Sequence, residues 1–169
     1  KKVPFGPQLL FTAEEMDALT VSAEIGEDLF AIVPPSTGAA AKGATIIVNA
    51  SATAAVVNKD AYANNLIAAH TAKLNAGYVF ANAGDGESTT DMVFSGHNVI
   101  AENGVLLNQS KGYESGVIYS EIDVERLEND RRKNTLFDTE DTHVCIPFHL
   151  KETETKLSRF IDPSPFVPM

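Results

Sequence analysis

Four short stretches of this sequence carry residue types that could do chemistry. Glu24-Ile25-Gly26-Glu27-Asp28 sets carboxylates around a glycine where an alternating segment ends. A glycine there supplies the positive φ of a tight corner at no steric cost. Glu27 and Asp28 suit the positive end of a following helix. Asn49-Ala50-Ser51-Ala52-Thr53 follows an apolar run, with Lys59 a few residues on. Small polar groups at the carboxyl end of a buried strand are well placed to hydrogen-bond a ligand. Loop capping and a surface lysine explain Thr53 and Lys59 equally well.

The other two stretches offer less. Gly84-Asp85-Gly86-Glu87-Ser88-Thr89-Thr90-Asp91 mixes glycines with acids and hydroxyls. The Gly-Lys-Ser/Thr ending of a phosphate loop is absent, and Asp85 and Glu87 repel phosphate, so a structural loop is the better reading. His143, Cys145 and His149 share parity on a predicted strand, but residues i and i+4 there lie ~13 Å apart, too far to ligate one ion. Cys145 reads as a buried core thiol. The Gly-x-Ser-x-Gly signature of a serine nucleophile does not occur.

Residues 24–30 resemble the Glu-Ile-Cys-Glu-Asp-Leu-Trp nucleophile segment of the nitrilase (carbon–nitrogen hydrolase) superfamily. Within it they resemble the amidase domain of glutamine-dependent NAD synthetases. Pro34, Pro35 and Ser36 continue that pattern, as do Val3-Pro4-Phe5-Gly6, the 49–53 segment, the 84–91 block and residues 98–104. The resemblance implies an α/β (α+β) fold, part of an α-β-β-α sandwich with mixed sheets. It places Gly26 where the family has its nucleophilic Cys, and Glu27, Phe30, Thr53 and Lys59 around the substrate, glutamine. The family works with a Glu-Lys-Cys triad whose Glu and Lys precede this chain in family order. The expectation is therefore an inactive fragment. Residues 1–150 read as the later part of the hydrolase domain, and 151–169 as a Pro-rich linker towards a synthetase domain of the parent chain.

That parent synthetase domain would use ATP and Mg²⁺; no cofactor is expected in the fragment itself. The resemblance also implies a homo-oligomer. Two other classes stay open: a non-enzymatic scaffold built on the amidase fold, and a stand-alone carbon–nitrogen hydrolase acting on another amide.

Composition narrows the partners. A formal charge of −10 argues against nucleic acid and anionic membrane. Hydrophobic residues at 44% and a single cysteine fit a globular cytoplasmic protein without an internal disulfide. Arg131-Arg132-Lys133 reads as the solvated end of a helix.

The elements that must position these residues follow from periodicity. Thr12 to Glu15 has capping-box spacing and predicts a helical turn. Leu19 to Glu24 alternates as a half-buried strand, and a short helix over 37–42 has Ser36 as its cap. Ala44 to Asn49 is a fully covered strand. Lys59 to Asn75 is the best helix, with Tyr62, Leu66, Ala69 and Lys73 on one stripe and Gly77 as its stop. Short strands are predicted at 78–81, 92–94, 98–101, 105–107, 117–122 and 142–150, with an Asn103-Gly104 hairpin turn and a helix over 124–133.

Overall fold

The computed structural model describes residues 2–114, 116–137, 142–151 and 156–162. Its centre is one seven-stranded mixed sheet. The strands are β1 (Leu9–Ala13), β2 (Thr20–Ile25), β3 (Ile46–Ser51), β4 (Gly77–Asn82), β5 (Val99–Glu102), β6 (Val105–Gln109) and β7 (Val144–Phe148). They lie in the order β6-β5-β4-β3-β2-β1-β7. The inner strands β2, β3 and β4 are parallel, as crossover connections require. Helix α1 (Pro35–Ala41) makes the first crossover and α2 (Lys59–Leu74) the second. β5 pairs antiparallel with β4 after a long connection over residues 83–98, and a hairpin joins it to β6, with Asn103 and Gly104 at positive φ as the turn demands. A third helix, α3 (Val124–Arg132), starts at Asp123, whose carboxylate accepts the Arg126 amide.

The main core lies between the sheet and the α1–α2 layer. Leu10, Leu29, Ile47, Ile67, Tyr78, Phe80 and Val99 fill it, each 2% exposed or less. On the opposite face Val21, Val48 and Val79 are half-buried, and Ala23, Ala50 and Ala81 exposed. Ile122 covers part of that face at Gly77, where a Cβ would sit 2.8 Å from the Ile122 and Ile46 methyls. The close approach of these methyls favours glycine at 77, which is not the helix stop. The stop is Asn75, in the left-handed region at φ 44°.

Other local expectations shift for identifiable reasons. Thr12 and Ala13 end β1 instead of opening a helical turn, because their backbone pairs with β2 and β7. Residues 92–94 and 117–122 are not strands. Pro34 caps α1, which frees Ser36 for a tertiary contact. The buried stripe of α2 is Ala63, Ile67, His70, Thr71 and Leu74, one position round from the predicted one. In a helix this rich in alanine, neither stripe stands out by hydrophobicity. Arg131 is not solvated. Its guanidinium donates to the carbonyls of Asn75 (3.0 Å), Ala40 (3.4 Å) and Ala44 (2.6 Å), tying the ends of α1 and α2 to α3. Burial lowers its pKa to about 10, so it stays charged. Arg132 and Lys133 are exposed as expected, and Arg132 pairs with Glu128 at 2.8 Å.

Candidate functional site

Gly26 stands at the carboxyl end of β2, at φ 58°, as the first residue of the 3-10 turn Gly26–Phe30. A Cβ built there meets nothing within 4 Å. The position is left-handed, which suits glycine, yet it opens onto free space that a side chain could occupy. Both sides of the corner are pinned. The Ile25 amide donates to the Asp28 carboxylate (2.9 Å), and the Gly26 carbonyl accepts from Asn49 Nδ2 (3.2 Å).

Behind the corner runs a buried polar chain. Asn49 Nδ2 also donates to the Tyr78 hydroxyl (3.0 Å), and that hydroxyl donates to Glu24. The second Glu24 oxygen accepts the Ser36 amide (3.1 Å), and Ser36 Oγ meets His70 Nε2 at 2.8 Å. Glu24 is 3% exposed, Asn49 1% and Tyr78 fully buried. Since the Gly26 carbonyl and the Tyr78 oxygen both need a donor, the orientation of the Asn49 amide is fixed, and its Oδ1 has no partner among the described residues. Burial and the Glu24 charge push the Tyr78 phenol far above its ordinary value, so it remains a donor. Burial likewise lowers the His70 pKa. Neutral donors, not a cation, hold Glu24.

A second cluster flanks the corner. Phe30, closing the 3-10 turn, stacks on Tyr62 of α2 with centroids 5.7 Å apart and planes at 19°. The Lys59 ammonium lies 3.9 Å above the Phe30 ring and 5.8 Å from that of Tyr62. Beyond the end of β3, Thr53 is 7% exposed and bonds Ser51 through its hydroxyl at 2.7 Å. Asn82 clamps it on both sides, accepting the Thr53 amide (2.8 Å) and donating to the Thr53 carbonyl (3.1 Å).

No family model matches the chain. The glutamine-dependent NAD(+) synthetase of Mycobacterium leprae is 36% identical over 179 aligned residues, covering 99% of this chain and 26% of that protein. This chain is a relative of the glutamine-dependent NAD(+) synthetases. It spans about a quarter of the length of that relative. A solved glutamine-dependent NAD(+) synthetase from Cytophaga hutchinsonii superposes with TM-score 0.50 at 25% identity, over 61% of this chain and 15% of that one. Saccharomyces cerevisiae Nit3, a member of branch 10 of the nitrilase superfamily, gives TM-score 0.57 at 18% identity, over 73% of this chain and 44% of that one. The fold is therefore of the carbon–nitrogen hydrolase type.

Within this structure the positions singled out in the sequence divide clearly. Gly26, Phe30 and Lys59 belong to one neighbourhood through the 3-10 turn and the Phe30–Lys59 contact. Glu27 is exposed on the same turn. Thr53 is held beyond the adjacent strand with its hydroxyl already engaged by Ser51. A cavity of roughly 790 Å³ lies elsewhere, lined by Glu15, Asp17, Leu19, Glu125, Glu128 and Lys151, and includes none of these five. His149 pairs with Glu15 (2.9 Å) and Glu14 (3.4 Å). Cys145 is exposed on the edge strand β7, which corrects the expectation of a core thiol. No group of three His, Cys, Asp or Glu side chains could hold a metal among the described residues, and no helix there is long and apolar enough to cross a membrane.

Sequence reading missed the network roles of Tyr78 and His70, took Ser36 as a helix cap, and placed Asn49 at the end of a covered strand without naming a partner for it. A signal existed. Thr20, Ser22 and Glu24 alternate on β2, and Asn49 and Ser51 on β3, and all five are buried. On β3, whose apolar run already reads as covered on both faces, buried polar residues at period two mark an interior network; on β2 the alternation alone does not say which face is covered.

Proposed function

We propose that this chain is the nucleophile-bearing part of the glutamine amidohydrolase domain of a glutamine-dependent NAD synthetase, and that Gly26 leaves it unable to hydrolyse glutamine. The observation that carries this is the corner at Gly26. In a chain similar over 99% of its length to such a synthetase, the corner is left-handed, pinned on both sides and open where a side chain would project. Hydrolysis by this family needs a thiolate at that point to attack the carboxamide carbon, giving an acyl-enzyme and ammonia. Glycine offers no atom to attack with. Around it, Glu27, Phe30, Thr53 and Lys59 are the residues proposed to bind glutamine.

In the parent protein the ammonia would pass to a synthetase domain that consumes ATP with Mg²⁺. Residues 151–169 would lead towards it; of these only Lys151 and 156–162 are among the described residues. The apolar sheet face of Val48, Val79 and their neighbours would receive the second layer of the hydrolase sandwich. An oligomer assembled through such sandwiches belongs to the same proposal.

The experiment is Gly26→Cys in the parent protein. The unmodified protein should make NAD from ammonia, with glutamine-dependent turnover lower by on the order of 10⁴–10⁶, the usual cost of a missing nucleophile. Gly26→Cys should restore glutamine-dependent synthesis, against a left-handed backbone strain of about 1–2 kcal/mol. A variant that uses ammonia but still ignores glutamine overturns the reading in favour of a second one. That second reading, which the glycine itself favours, is an amidase fold kept as a scaffold.

A further inference from the structure

We propose that Tyr62 is a positioning residue. Together with Phe30 it holds the Lys59 ammonium, un-neutralised, as the receptor for a carboxylate on the ligand. The inference rests on the glutamine-binding reading above and adds which group of the ligand is selected, and by what device. Lys59 lies 3.9 Å over the Phe30 ring, and Tyr62, stacked on Phe30, flanks the ammonium at 5.8 Å. No carboxylate lies within ion-pairing distance of that ammonium among the described residues. Ring faces attract a cation without cancelling its charge, so the ammonium stays available to an anion. They also restrict a side chain that otherwise samples many rotamers. Tyr62 is 52% exposed, so its ring is at the surface and not a core filler.

Two measurements on the intact protein test this. In the first, lysine methylenes are followed by NMR after selective ¹³C labelling. The Lys59 ε-methylene should be shifted upfield by the rings. Tyr62→Leu should move it towards the free-lysine value, whereas Tyr62→Phe should not. An unchanged shift in Tyr62→Leu overturns the positioning role.

In the second, calorimetry compares L-glutamine with its methyl ester, which keeps the amide and loses the negative charge. Tyr62→Leu should weaken glutamine about threefold to fivefold and leave the ester unchanged. Lys59→Met should weaken glutamine about tenfold, again sparing the ester. Equal losses for both ligands overturn carboxylate selection. If the NMR shift responds as expected while glutamine does not bind the unmodified protein, the glutamine reading fails and selection falls with it, but the positioning of Lys59 by Tyr62 stands.

Discussion

The covered interior behind Gly26 and the β1–β7 edge of the sheet each contain a histidine beside glutamates, and the two respond to acid in opposite directions. His70 is buried on the inner face of α2 and reaches Glu24 by hydrogen bonds only through Ser36, so desolvation dominates and its pKa falls below 6.5. His149 lies exposed at the edge, bonded directly to Glu15 with Glu14 nearby, so its pKa rises above 6.5. The same pairing of residue types gives opposite outcomes because burial acts on the charged form before any partner does. The interior is therefore held by neutral donors to a carboxyl group. The edge is held by charges that water screens.

Breaking the interior should show the largest effects. Arg131→Ala removes three donors to the carbonyls at the ends of α1 and α2, one of them long. We expect a loss of about 3–4 kcal/mol in urea unfolding, since charged donors to buried acceptors contribute ~1.5–3 kcal/mol each and do not add fully. Tyr78→Phe is a smaller cut in the same region. It takes one donor from Glu24 and one acceptor from Asn49. A loss of about 2 kcal/mol is expected, with the fold intact by circular dichroism. A Tyr78→Phe protein as stable as the parent would show that the polar chain does not hold the corner.

How far this contrast was legible beforehand depends on the residue. The parallel centre of the sheet, α2 and the Asn103-Gly104 hairpin follow from apolar runs, helix length and turn chemistry, all local signals. The Gly26 corner was legible because flanking residues on both sides of it follow a known pattern. Which face of β2 is buried was not. Leu19, Val21 and Ala23 look like the inward set, yet Thr20, Ser22 and Glu24 lie under the helices. Their partners, such as Tyr78 and Ser36, come from distant elements, and no periodicity reports a hydrogen bond across the fold. Arg131 misled for the same reason, since its acceptors are the ends of two other helices. Cys145 misled through its residue type: thiols are usually buried, but β7 is an edge strand.

The two histidines sharpen the comparison through pH. Because the folded pKa of His70 is lowered, the unfolded chain binds the extra proton first. The contribution of neutral His70 is fully present above about pH 6.5, the unfolded value, and is lost as pH falls through the folded pKa. His70→Gln should flatten the stability profile below pH 6.5 while lowering stability at pH 8, where the Ser36 contact is perturbed.

His149 should show the reverse with the smallest amplitude. Its folded pKa is raised, so the folded protein binds the proton first. The added stability is fully present below about pH 6.5 and is lost as pH rises through the folded pKa. The Glu15 carboxyl opposes this at lower pH. Its pKa is held down by the Leu150 amide and by His149, so its contribution is present above 4.5 and lost as pH falls through its lowered value. The His149–Glu15 pair is therefore strongest between the two titrations, at mildly acid pH, and weakens on either side. His149→Gln should leave urea midpoints at pH 8 nearly unchanged and lower them slightly near pH 5.5. Because both groups are exposed, 0.5 M NaCl should remove most of that small difference. The same salt should leave the His70-dependent slope in place. If salt erased both slopes equally, the division between a desolvated interior and a screened edge would be wrong.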